Sequence, residues 1–172
     1  MRHRSLRSLA LLAVLLGSRL SIGGAAAADT RTSYTFQAVF LLAEISGAGS
    51  LEGVPANAQK ALRDAASFLP YKNYRLLDLA WIRTSFKGSA RFAGPDGRGG
   101  ELLLTVDPAE TSKDKLVIHE LTVQPLNVSG LAEGRPLLSS TFSLAPGETV
   151  IVGTSKLDGP GKALVVLLTA IP

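Results

Sequence analysis

Most of this chain after residue 28 reads as short strands, some alternating apolar and polar positions and one apolar throughout, and one stretch switches to helical spacing. Residues 33–45 (SYTFQAVFLLAEI) are rich in aromatic and branched side chains, with Tyr34, Phe36, Ala38 and Phe40 alternating with smaller or more polar neighbours, which predicts a strand. Residues 47–53 (GAGSLEG) read as a flexible loop. Ala58, Ala61, Leu62, Ala65, Phe68 and Leu69 then recur at i, i+3, i+4 spacing, with Lys60, Arg63 and Asp64 opposite, which predicts an amphipathic helix. Asn57 is the expected N-cap and Pro70 sets the expected end near Leu69.

The rest reads as strands: residues 71–84, 86–93, 102–106, 116–123, 137–144, 149–155 and 163–171. Residues 86–93 and 102–106 are expected to pair across the loop 94–100, where Asp96-Gly97 is a turn signal. In 116–123, alternation puts Leu116, Ile118 and Glu120 on one face and Val117, His119 and Leu121 on the other, with Pro125 closing the strand. The turn at 156–162 (KLDGPGK) predicts a hairpin between the last two strands, and 163–171 (ALVVLLTAI) is apolar enough for burial on both faces.

The pattern predicts an α+β, β-dominated fold: one helix packed on a mainly antiparallel sheet or sandwich of about 7–8 strands. An eight-stranded outer-membrane barrel competes, but the helix and the apolar final strand speak against it.

The first 28 residues read as a cleaved signal peptide. Arg2, Arg4 and Arg7 precede an apolar run at 9–16 (LALLAVLL), and Ala25 to Ala28 offer small residues for cleavage. The run is shorter than the roughly 20 residues that span a bilayer. Residues 29–172 then form a single exported β-rich domain, with candidate sub-lobes at 29–84 and 85–172. The expected location is periplasmic or secreted, in a bacterium.

Cleavage changes the electrostatics. The full chain has 18 basic and 14 acidic residues, but Arg2, Arg4, Arg7 and Arg19 all lie before position 29 and no acid does. The exported part balances 14 against 14, so it lacks the basic excess that nucleic-acid binding needs. The absence of cysteine excludes disulfides, thiolate zinc sites and thiol catalysis.

Candidate chemistry is sparse. His119 is the single histidine after the signal, inside an expected strand, and reads as structural. Asp107 with Glu110, and Asp114 with Glu120, lack the ordered spacing of a calcium loop. Ser112 to Lys115 matches S-x-x-K, but in a polar turn and without its partner motifs. Gly159-Pro160-Gly161-Lys162 leads into a strand, not the helix a phosphate loop opens. Asn127-Val128-Ser129 has the form of a glycosylation sequon. No catalytic, cofactor or metal residue is expected. The candidate partner-binding strip is Tyr71, Lys72, Tyr74, Arg75 and Trp81, where aromatics stand beside basic residues. Alternation places Tyr74 on the face opposite Tyr71 and Trp81.

Two stretches carry a resemblance. One is residues 54–81 with the block LPYKNYRLLD (69–78); the other is GETVIVGTS (147–155) followed by ALVVLLTA (163–170). Together they resemble small uncharacterised exported bacterial proteins. The second is also similar to the G-x-x-V-V-V-G-T/G and L-h-h-h-h-T strand pair (h apolar) of secretins, the multimeric outer-membrane pores of secretion and pilus systems. The first resembles their periplasmic ring-building modules. The chain lacks the gate-forming segments between the two strands, so the resemblance implies an accessory or ring-type module, not a pore.

The functional expectation is a non-enzymatic exported protein acting through protein partners in the cell envelope. It would work by edge-strand pairing or module stacking, and an oligomer fits either. The alternative is a periplasmic binder of a small apolar ligand held between helix and sheet; a hydrolase ranks third.

Overall fold

The structure is a computed structural model and describes residues 32–94, 99–107, 109–126, 134–157 and 160–172. The expected signal peptide, the expected turn at Asp96-Gly97 and the sequon-like triplet at Asn127 lie outside them. Among the described residues, nine strands and one helix follow in the order β1 (Tyr34–Glu44), β2 (Ser50–Glu52), α1 (Ala56–Asp64), β3 (Asn73–Thr84), β4 (Lys87–Ala93), β5 (Gly99–Val106), β6 (Leu116–Pro125), β7 (Leu138–Leu144), β8 (Thr149–Lys156) and β9 (Lys162–Ile171). The expected α+β sandwich is what forms, with one strand more than the upper expectation. The addition is β2, three residues inside the supposed loop, which pair parallel with Asn73 to Arg75.

Pairing divides the strands into two sheets, β2-β3-β1-β9-β8 and β4-β5-β6-β7, so the described strands do not close into one barrel. The main core lies between the sheets. Phe36, Ala38, Phe40, Ile82, Val166 and Leu168 from the first sheet meet Phe92, Leu102, Leu104, Ile118, Leu121 and Val123 from the second. A second layer lies on the outer face of the five-stranded sheet. There Ala58 and Leu62 of α1, with Val54, cover Val39, Leu41, Val165 and Leu167. β9 pairs with β1 on one side and β8 on the other and feeds both layers, which explains its unbroken apolar sequence.

The chain passes between sheets at two seams. At β7–β8, Gly153 lets Leu138 pack close to the backbone: a Cβ there would meet Leu138 Cδ1 at 2.5 Å, so any larger residue has to push that side chain aside. At β3–β4 the tie is Asp78. Its Oδ1 accepts from the Leu79 N–H and its Oδ2 from the Ala93 N–H, both at 2.7 Å. Asp78→Ala leaves both donors to water and is expected to cost about 1–2 kcal/mol, after allowance for partial exposure. Urea unfolding of the variant checks this, with Asp78→Asn, which keeps one acceptor, falling in between.

Three expectations need correction. The helix ends at Asp64, not near Leu69. Pro70 disfavours helical backbone at the residue before it, and the chain unwinds a turn early so that Leu69 and Tyr71 can reach the sheet. Phe68, expected on the buried side, is 85% exposed. The N-cap is Pro55, without a side-chain cap, and Asn57 lies inside the first turn. In β6, a bulge inserts His119 and Glu120 between Ile118 and Leu121. Alternation therefore breaks: Leu121 joins Leu116 and Ile118 in the core, while His119 and Glu120 are exposed. Among the described residues, no helix is long and apolar enough to cross a membrane.

Candidate functional site

The strip expected on residues 71–81 enters β3, which pairs along its whole length with β1. Trp81, Leu79, Leu76 and Tyr74 face Gln37, Val39, Leu41 and Ala43. Those four β1 positions alternate without interruption, so all four partners share the outer face. Leu77 is the extra residue that makes this so, a bulge opposite the step from Phe40 to Leu41. Tyr74 therefore lies on the same face as Trp81, not opposite it as period-two counting implied.

Sharing a face does not bring the five residues together. Tyr74 is buried in the layer under the helix, and Tyr71 packs on it edge to face with ring centroids 6.5 Å apart. The Tyr74 ring is core, and Tyr71 is half-buried against it. Lys72 and Arg75 are exposed. The Lys72 backbone N–H donates to the Glu44 carbonyl at 2.9 Å, and Arg75 pairs with Leu42 on one side and Glu52 on the other. Trp81 stands seven residues further along β3 and is 58% exposed.

Burial, with Tyr71 a smaller contribution, pushes the Tyr74 phenol above its ordinary pKa of 10.0. The unfolded chain then releases this proton at lower pH than the folded protein does. Stability should be unaffected by this group below pH 10.0 and fall as pH rises from there through the folded-state value. Urea midpoints across that alkaline range should drop more steeply in the natural chain than in Tyr74→Phe.

Beside Trp81 a row of polar residues crosses the sheet. Gln37 pairs with both Trp81 and Thr169, and Thr169 pairs with Thr149. Asn57 reaches down from the first turn of α1, donating through Nδ2 to Gln37 Oε1 at 3.0 Å and to Thr169 Oγ1 at 2.9 Å. The hydroxyls of Thr149 and Thr169 lie 2.8 Å apart. This row marks where the helix-covered apolar layer ends and the exposed surface around Trp81 begins. It has no signature in any one segment of the sequence, because it draws on β1, β8, β9 and the helix together.

The other candidates stay apart. His119 is not on a face with Leu121, because the bulge separates them. Asp107 Oδ1 accepts from the N–H groups of Ala109 and Glu110, a local turn. Ser112 also sits in a turn, its N–H donating to the Lys115 carbonyl at 2.8 Å. Among the described residues no three His, Asp or Glu side chains gather as a metal site. Between helix and sheet, where an apolar ligand was the alternative expectation, Val39, Leu41, Ala58, Val165 and Leu167 are fully buried against one another.

No protein-family model matches the chain, and comparison with curated proteins and with solved structures finds no similar protein.

Proposed function

We propose that this chain is a non-enzymatic exported protein that works through protein contacts in the bacterial envelope, as an accessory or ring-type module of a secretion or pilus system. The observation that carries the reading is Trp81, a large indole 58% exposed on a fully paired strand. Such a ring is held before any partner arrives, so little side-chain freedom is lost on docking. Exposed aromatics with polar rims are the usual anchors of protein interfaces. Here the rim is Gln37 across the strand, Arg83 two residues on, and Thr35 opposite Arg83.

Stacking of this face on a partner fits better than edge-strand pairing. Along its outer edge β3 is flanked by β2 at Asn73 to Arg75 and tied to the end of β4 through Asp78. Little of that edge is left for an incoming strand.

The test is in-cell crosslinking of the tagged full-length protein in its own host, followed by envelope fractionation and sizing. A large membrane-associated species is expected, and a soluble monomer without crosslinks overturns the reading. Trp81→Ser should change stability by no more than about 0.5 kcal/mol, as at other surface positions, yet abolish that species.

A further inference from the structure

The outer face of the four-stranded sheet carries two open hollows that run into one another. One, of about 280 Å³, lies over Leu103, Thr122, Gln124 and Ser139. The other, of about 420 Å³, lies against Phe86, Asp107 and His119. Both are lined by Lys87, Thr105 and Glu120, so they form one trough. Strand pairing lays out its floor: Lys87 stands opposite Thr105 and Thr105 opposite Glu120, with Leu103, Thr122 and Ser139 in the adjacent row. The bulge in β6 presents the exposed side chains of His119 and Glu120 at one end. Each row crosses three strands about 4.8 Å apart, roughly 10 Å, and the two rows together reach across all four strands, room for an extended ligand.

The geometry points to a binding trough for a carbohydrate chain built of pyranose rings. The lining offers hydroxyls (Thr105, Ser139), an amide (Gln124), an ammonium (Lys87) and the Glu120 carboxylate, whose Oε1 is held from below by the buried Thr122 hydroxyl at 3.2 Å. Sugar hydroxyls both donate and accept, and such a mixed lining satisfies them in either sense. Leu103, 37% exposed, and the Phe86 ring, 46% exposed with the Lys87 ammonium 5.5 Å from its centroid over one face, supply apolar ground for the C–H faces of the rings. Other ligand classes fit less well. A phosphate polymer would meet Glu120 and Asp107 against the single Lys87, the wrong charge balance. An extended peptide gains its affinity by adding a strand to a sheet edge. On this face the backbone groups of β5 and β6 are already engaged in ladders on both sides. A lipid would have to desolvate the charged and hydroxylated floor.

The test is an NMR titration of the nitrogen-15-labelled full chain with the hexamers of β-1,4-linked glucose and β-1,4-linked N-acetylglucosamine. At least one is expected to shift the amides of Lys87, Leu103, Thr105, Glu120 and Thr122 progressively. Binding by both means that ring hydroxyls suffice; binding by the second alone means that the acetamido group is read. Phe86→Ala and Gln124→Ala, both on the surface and checked for folding by circular dichroism, should each weaken that binding by about tenfold, the scale of one lost contact. The proposal is overturned if neither sugar shifts these residues at millimolar concentration, if the shifts fall elsewhere, or if both variants bind unchanged. It is also overturned if extended peptides shift the trough while both sugars leave it silent. None of these outcomes depends on a partner at Trp81.

Discussion

Replacing Phe40 by alanine is expected to lower stability by about 3–5 kcal/mol, the range for an aromatic removed from a closed core. Phe40 is fully buried on β1, the strand between β3 and β9. Its ring stacks on Phe92 of the opposite sheet, with centroids 3.8 Å apart and planes 7° from parallel. This is a direct aromatic contact joining the two sheets. It depends on Gly100, the residue paired with Phe92 on β5, because a Cβ there would strike the Phe92 ring. Truncating Phe40 therefore opens a cavity that Phe92, already seated on Gly100, is poorly placed to fill. Urea unfolding of Phe40→Ala, Phe92→Ala and the double variant measures the effect. The coupling energy between the two rings should be about 0.5–1.5 kcal/mol, beyond what each loses by area alone. Additive losses would mean that the rings share space without interacting.

Leu62→Ala is expected to cost about 2–4 kcal/mol and to do so unevenly. Only Ala58 and Leu62 of the nine helical residues are buried, so Leu62 is the helix's main attachment to the outer layer. A helix of this length does not persist in water without packing. Amide exchange should therefore lose protection across Ala56–Asp64 first, while β1 and β9 stay protected by the inter-sheet core. Equal loss of protection in the helix and in β9 would show that the two layers unfold as one unit.

The strands were legible wherever a local pattern decides. The run at 33–45 and the apolar run at 163–171 state their burial directly, and the turn at 156–162 joins two strands that do pair as a hairpin. What escaped was set by contacts distant in sequence. β2 is Ser-Leu-Glu in a glycine-rich stretch, and it is a strand because β3 lies beside it. The bulges at Leu77 and at His119–Glu120 shift the alternation by one residue, which reverses every facing read beyond them. That is why Tyr74 and Leu121 were assigned to the wrong faces. The candidate strip suffered in the same way. Adjacency along β3 suggested one surface, whereas the fold sends Tyr71 and Tyr74 under the helix and leaves Trp81 outside. The Asn57 row and the trough beyond Phe86 had no local signal, since each gathers residues from several strands or from helix and sheet together.

The most direct test of the central claim, that the Trp81 surface receives a protein partner, is a photoactivatable crosslinking side chain placed at position 81 of the full-length protein in its own host. The same side chain at Arg91, an exposed position on the far sheet, serves as the control. The account predicts a discrete, reproducible protein adduct from position 81, none of the same size from position 91, and its disappearance when Arg83 and Gln37 are both replaced by glutamate. Equal labelling from both positions, or no adduct from position 81, would contradict it.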